Sequence, residues 1–263
     1  MAFFMTTNQP IGIFDSGVGG LSVWETVREH LPNENFIYLA DSKNAPYGSK
    51  SKEHITELSI VNTNYLLNLN CKMIIVACNT ATTNAIASLR STFDIPFIGI
   101  EPAIKPAAVN SKTIGVLATK GTLTSDLFLE HPVKENDEVT IVEQVGKGLV
   151  EMIEKGETRT TEMKALLSDL LRPMLEKNID ALVLGCTHYN FLKEVLVELL
   201  PSHIELWDAR EAIAKRTAYI LDQNKIRNHS KQQGVTRVLT NKRDTAIQKF
   251  VGDNIIVELI EKD

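Results

Sequence analysis

The sequence predicts an α/β fold of two similar lobes, each a mostly parallel sheet flanked by helices, with the active site in the cleft between them. Three observations predict it. Short apolar runs alternate with helix-like segments along the chain. Several of these runs recur at a nearly constant offset. Two of them end in a cysteine followed by small hydrogen-bonding residues: "VACNTATTN" at 76–84 and "LVLGCTHYN" at 182–190.

The first run, "PIGIF" (10–14), leads through a Gly-rich turn to a helix-like segment from Leu21. "NFIYLA" (35–40) precedes a polar loop and a helix over 51–69, and "KMIIVA" (72–77) leads into "TATTNAIASLR". Apolar runs of four to six residues alternating with helical periodicity are the βαβ signature of a parallel sheet.

The repeat follows the same order. "IGIFDS" (11–16) matches "IGVLAT" (114–119), "MIIVACNT" (73–80) matches "ALVLGCTH" (181–188), and "FIGIEPA" (97–103) loosely matches "ELWDA" (205–209). These pairings set Ser16 opposite Thr119, Cys78 opposite Cys186 and Glu101 opposite Asp208. Parallel sheets bind ligands at the carboxyl ends of their strands, so two facing lobes would line one cleft with both cysteines. The tail carries "TRVLT", a helix-like "RDTAIQKF" and "NIIVEL", more structure than a second lobe needs. The expected division is a discontinuous first lobe, 1–97 plus 210–263, and a second lobe, 98–209.

With 263 residues and 43% hydrophobic content, the chain can bury one large core or two smaller ones. A net charge of −5, with lysines and arginines scattered, argues against a nucleic-acid partner, which needs a local excess of cations. No apolar run approaches the roughly 20 residues that span a bilayer. The N-terminal "MAFFMTTNQP" lacks the basic start of a signal peptide and reads as a short tail, which points to the cytoplasm. Three cysteines, Cys71, Cys78 and Cys186, make neither a disulfide framework nor a zinc spacing.

"DSGVGG" (15–20) resembles a phosphate-binding turn, but its spacing is not GxGxxG and no GK[ST] follows. Asp15 has the wrong charge for phosphate and suits a ligand ammonium or proton transfer, while Ser16 can donate to a ligand carboxylate. The plainer alternative is a glycine turn with Asp15 as helix cap. In "DSKNAPYGSKS" (41–51), Pro46 and Gly48 shape a turn whose Tyr47 and Gly48 N–H groups could hold an anion. The alternative there is a surface turn before a helix capped by Ser49 or Ser51.

The two cysteine motifs carry the sharper signal. Each offers a thiol, a side chain able to bind a carboxylate (Asn79 or Thr187) and another polar group (Thr80 or His188). A cysteine at a helix N-terminus feels the positive end of the dipole, which favours the thiolate. His188, two residues after Cys186, can hold that thiol ionised or transfer its proton. Cys71, ahead of its strand, reads as a core residue. Either of the other two, taken singly, would read the same way.

Together, "IGIFDSGVGGLSV" (11–23), "YLADSKNAPYGSKS" (38–51), "VACNTATTNA" (76–85), "IGVLATKGT" (114–122) and "LGCTHY" (184–189) resemble the glutamate racemases of the cofactor-independent aspartate/glutamate racemase superfamily. The resemblance runs over roughly 11–210, with a weaker echo at "VLTNKRD" (238–244). It implies two α/β lobes with the tail returning to the first. It also implies interconversion of L- and D-glutamate without cofactor or metal, supplying peptidoglycan synthesis in a bacterial cytoplasm. Carried over by residue, Cys78 and Cys186 are the acid/base thiols, Cys78 for D-glutamate and Cys186 for L-glutamate. Asp15 and His188 assist them and also border the substrate, and Glu154 aligns loosely with an assisting glutamate. Ser16, Pro46, Tyr47 and Gly48 would bind the side-chain carboxylate, and Asn79, Thr80 and Thr187 the α-carboxylate. The resemblance leaves open a homodimer and, as in part of the family, activation by a cell-wall precursor.

One departure stands out: the family usually has proline after "GCTH" and an aromatic residue, where this chain has Asn190. Three alternatives remain on the residues alone. They are a racemase for aspartate or another acidic amino acid, a cysteine hydrolase or amidase using Cys186 and His188, and a non-catalytic amino-acid binding protein.

Overall fold

A computed structural model describes residues 6–135, 138–243 and 246–261, with backbone alone at 134–135. Part of the expected N-terminal tail, and Asp244 and Thr245 of the expected tail helix over 243–250, lie outside the described residues.

The strands are β1 (Ile11–Asp15), β2 (Phe36–Ala40), β3 (Met73–Val76), β4 (Phe97–Gly99), β5 (Thr113–Ala118), β6 (Thr140–Val145), β7 (Ala181–Gly185), β8 (Glu205–Trp207), β9 (Thr236–Thr240) and β10 (Val257–Leu259). They form two sheets, one ordered β10-β9-β2-β1-β3-β4 and the other β6-β5-β7-β8. The pairings are parallel. The order β2-β1-β3-β4 repeats as β6-β5-β7-β8, so the offsets in the sequence correspond to a repeated topology. The first sheet takes in β4 up to Gly99 and, from the far end of the chain, β9 and β10.

The helices are α1 (Leu21–His30), α2 (Lys52–Asn68), α3 (Asn79–Thr92), α4 (Ile104–Ala107), α5 (Lys120–Leu123), α6 (Asp126–Leu129), α7 (Leu149–Glu154), α8 (Thr161–Leu175), α9 (Lys193–Leu199), α10 (Arg210–Gln223) and α11 (Ile247–Val251). Local chemistry fixes several starts. Ser51 caps α2 by accepting from the His54 N–H at 3.3 Å, and Thr160 caps α8 by accepting from Met163 at 3.1 Å.

Strands β1, β2, β3 and β7 are buried throughout, because helices cover both sheet faces. That is why they read as continuous apolar runs rather than as alternation. Cys71 is fully buried, and burial pushes its thiol up to about 12, in keeping with a core residue. Lys72 and Glu34 form a buried ion pair at 2.6 Å beneath the first sheet. Among the described residues no helix is long and apolar enough to cross a membrane.

Candidate active site

Strand β1 delivers Asp15 at its carboxyl end, and the chain then loops through 16–20 into α1. Asp15 does not cap that helix: Gly20 occupies the cap position, with no side-chain hydrogen bond. Its carboxylate instead accepts from the Gly17 N–H at 2.8 Å and, across the cleft, from the Thr187 hydroxyl at 3.0 Å. Burial pushes the Asp15 carboxyl up to about 6, against the opposing pull of the His188 charge and of those two hydrogen bonds. Tyr38 braces the same loop by donating to the Gly17 carbonyl at 2.7 Å.

Cys78 ends the run that follows β3 and is the N-cap of α3, its sulfur accepting from the Ala81 N–H at 3.5 Å. The Ser16 hydroxyl lies 3.9 Å from that sulfur. Burial, then the Asp15 charge, pushes the Cys78 thiol well above its ordinary value, outweighing the helix N-terminus and Ser16. The sequence pattern expected the dipole to favour thiolate; burial and a neighbouring carboxylate favour the thiol instead.

The second lobe repeats the position with different neighbours. Cys186 follows β7 and opens a 3₁₀ segment, Thr187–Leu192, rather than an α-helix. Its sulfur lies 3.8 Å from His188 Nδ1. His188 donates from Nε2 to Glu154 at 2.6 Å, and Glu154 ends α7, to which left-handed Gly148 gives entry. Burial disfavours the imidazolium, but hydrogen bonds and charges from Cys186 and Glu154 outweigh it and hold His188 well above its ordinary value. Burial likewise raises the Glu154 carboxyl. The His188 hydrogen bond and charge and the Val18 N–H more than reverse this, and the group stays below its usual range.

The lobes meet tightly. Glu154 also accepts from the Val18 N–H of the other lobe at 2.8 Å. A Cβ on Gly17 would lie 1.8 Å from the Glu154 carboxylate, and one on Gly19 would lie 2.7 Å from the His188 backbone nitrogen. Gly17 and Gly19 of "DSGVGG" are therefore required by close approach of the second lobe rather than by a phosphate, and Gly20 by Asp15, Ala77 and Tyr38 of its own lobe. Among the described residues no group of three or more His, Cys, Asp or Glu side chains is placed to hold a metal.

A family model described as Asp/Glu/hydantoin racemase matches residues 21–217. The glutamate racemase of Ralstonia pickettii is 44% identical over 80% of this chain and 76% of its own length. That of Clostridium perfringens (strain SM101 / Type A) is 39% identical over 97% and 96%. The chain belongs to the glutamate racemase family. The racemase fold is shared with solved members. The Francisella tularensis glutamate racemase, in complex with D-glutamate, is 30% identical with a TM-score of 0.84, covering 98% of this chain and 99% of that one. The Escherichia coli glutamate racemase, in complex with L-glutamate and the activator UDP-MurNAc-ala, is 32% identical with a TM-score of 0.83, covering 95% and 98%. The chain is an amino-acid racemase acting on glutamate.

Around the thiols of this racemase the remaining expected residues divide into two groups. Asn79 and Thr80 open α3 beside Cys78, with Asn79 donating to the Ile100 carbonyl at 3.3 Å. Thr80 forms a hydroxyl cluster across the cleft with Thr119 at 2.8 Å and Thr122 at 3.2 Å. Tyr47 is buried and donates to Asp41 while accepting from Asn62 at 2.9 Å. The turn of Pro46, Tyr47 and Gly48 thereby fixes its backbone near Thr119, against which Gly48 packs. Two cavities adjoin the site, of about 610 and 320 Å3, and both are bordered by Pro46, Val150 and Glu151; neither is lined by a thiol.

Sequence reasoning left Thr119, Thr122 and Tyr38 without a role. Thr119 carried a signal, as the repeat partner of Ser16. Thr122 and Tyr38 carried none, because their importance comes from contacts between separate segments of the chain. Glu154, only loosely aligned from sequence, hydrogen-bonds to His188.

Proposed function

We propose that the chain interconverts L- and D-glutamate by two-thiol proton transfer at Cα, in the bacterial cytoplasm, supplying D-glutamate for peptidoglycan synthesis. The observation that carries this reading is a pair of buried cysteines at repeat-equivalent strand ends, one from each lobe, each with its own polar partner. The Asp15–Thr187 hydrogen bond joins the two lobes across the cleft, linking the residue before Ser16 to the residue after Cys186.

From L-glutamate, the Cys186 thiolate takes the Cα proton and becomes a thiol, leaving a carbanion. The Cys78 thiol then gives its own proton to the opposite face and becomes a thiolate. From D-glutamate the order reverses, with Cys78 taking the proton. Each turnover exchanges the protonation of the pair, and proton exchange with solvent restores it.

The imidazolium of His188, held by Glu154, supplies positive charge on the Cys186 side. Asp15, with its proton held near pH 6, can serve as proton partner or as anion on the Cys78 side. On this reading Asn79, Thr80 and Thr187 hydrogen-bond the α-carboxylate, where charge accumulates as the proton leaves, Thr187 by turning its hydroxyl from Asp15. On the same reading Ser16 and the Pro46–Gly48 turn bind the side-chain carboxylate. Both thiols are buried, at 5% and 6% exposure, which limits the access of water to the reacting atoms.

The E. coli relative's complex with UDP-MurNAc-ala makes a cell-wall precursor a candidate activator here; the sequence resemblance alone suggests a homodimer. The test is incubation with L-glutamate in D2O without added cofactor, following the Cα proton by NMR and the ellipticity by circular dichroism. Cα exchange with decay of ellipticity, lost in Cys78→Ser and in Cys186→Ser, is the expected result. A Cys78→Ser variant of full activity would overturn it.

A further inference from the structure

Asn190 stands where the sequence resemblance leads one to expect proline, and it is not a passive replacement. It is 9% exposed and lies in the 3₁₀ segment that begins with Thr187. Its Nδ2 group donates to the Ser22 hydroxyl of α1 at 3.1 Å and to the Thr187 carbonyl at 3.1 Å. Ser22, 2% exposed, donates to the Gly19 carbonyl at 2.8 Å and lies within 3.2 Å of the Thr187 carbonyl. A primary amide has two N–H groups and Asn190 uses both, one toward each lobe. A proline side chain has no donor and could make neither bond.

The other end of the same amide is left over. Asn190 Oδ1 is buried with no hydrogen-bond partner among the described residues, a cost to stability that an apolar residue would not incur. The residue is thus explained by what its donor end holds. Thr187 is fixed twice to the first lobe, through its hydroxyl to Asp15 and through its carbonyl to the Asn190–Ser22 pair. Cys186 is its chain neighbour.

We propose that Asn190 is a positioning residue: with Ser22 it latches the Cys186–His188 turn onto α1, holding the second thiol against its face of the substrate. The inference rests on the two-thiol reading above. Its direct bonds run to the Thr187 carbonyl and to α1, and among the described residues neither Asn190 nor Ser22 hydrogen-bonds to Cys78, so the effect falls chiefly on the step in which Cys186 gains or loses a proton.

The test uses the full chain with Asn190→Leu, similar in shape without the donor, and Ser22→Ala, a smaller change that removes the acceptor on the other lobe. Racemisation is followed in both directions with glutamate carrying protium or deuterium at Cα. Loss of one such hydrogen bond slows turnover about three- to tenfold. The equilibrium fixes the ratio of kcat/KM in the two directions, so both fall equally. The isotope effects need not. If the Cys186 step has become slower, the effect from L-glutamate, whose deuterium moves in that step, rises. The effect from D-glutamate, whose deuterium moves at Cys78, falls. Opposite movement in both variants supports the latch. Unchanged isotope effects, or effects that move together, overturn it, whatever happens to kcat. Should Asn190→Leu fail to fold, Ser22→Ala decides by the same readout. If the wild-type chain exchanges no Cα proton, the two-thiol reading itself has failed, a result distinct from variants that keep wild-type isotope effects.

Discussion

The two thiols occupy repeat-equivalent strand ends in surroundings of opposite character. Cys78 sits at a helix cap beside a carboxylate and a serine, with no cation among its partners, and burial and Asp15 push it upward. Cys186 sits beside an imidazolium backed by a glutamate that is anchored in turn to the other lobe. A duplicated scaffold has supplied two equal positions, and unequal neighbours then set a proton donor on one side and a charge-supporting site on the other. Racemisation needs one thiol protonated while the other is not, and each must take either role, because the reaction runs in both directions.

The largest effect expected is removal of either sulfur. Cys78→Ser and Cys186→Ser should each lower racemisation by about 10²- to 10⁴-fold, the range for a positioned acid or base, measured as decay of ellipticity. Retention of activity in one variant alone would break the pairing.

Asp15 gives the next test. Its carboxyl holds a proton up to about pH 6 in the folded chain, against an ordinary 3.8. Between those values the native state binds more protons than the unfolded state, so stability falls as pH rises. The integrated loss is on the order of 3 kcal/mol by pH 7. Urea unfolding at pH 4 and pH 7 should show this slope in the wild type and a flatter one in Asp15→Asn; equal slopes would remove the proton from the Cys78 side.

Glu154→Gln and Ser16→Ala sharpen the contrast between the halves. The first deletes a charge-assisted hydrogen bond and should cost about 10- to 100-fold in kcat, with His188 titrating lower in an NMR titration. The second deletes a weak contact to sulfur and should cost less. A larger loss for Ser16→Ala would make the Cys78 side the more dependent on its neighbours.

Thr119→Ala should be mildest. It removes one member of the hydroxyl cluster with Thr80 and Thr122, worth roughly 1 kcal/mol, and should appear mainly in KM.

Much of this was legible in the sequence for a physical reason. Strands covered on both faces must be apolar throughout, so β1, β2, β3 and β7 announced themselves, and the duplication left matching strings at Cys78 and Cys186. The unlike environments did not announce themselves. The Asp15–Thr187, Val18–Glu154 and Ser22–Asn190 bonds join residues more than 130 positions apart, and nothing local encodes them. The expected pull of the helix N-terminus on Cys78 is outweighed because a helix start can be read from a pattern, whereas burial beside a carboxylate cannot.

The return of β9 to the first sheet also bears on how the chain is made. Strand β2 is buried at all five positions, and β9 covers the edge that β1 leaves open. During synthesis that edge is an unpaired apolar strand until Thr236–Thr240 has left the ribosome, after the entire second lobe. The newborn protein thus spends most of its translation with an adhesive border, a window in which a holdase chaperone would protect it. A ribosomal stall before residue 236 would favour aggregation over a half-built enzyme.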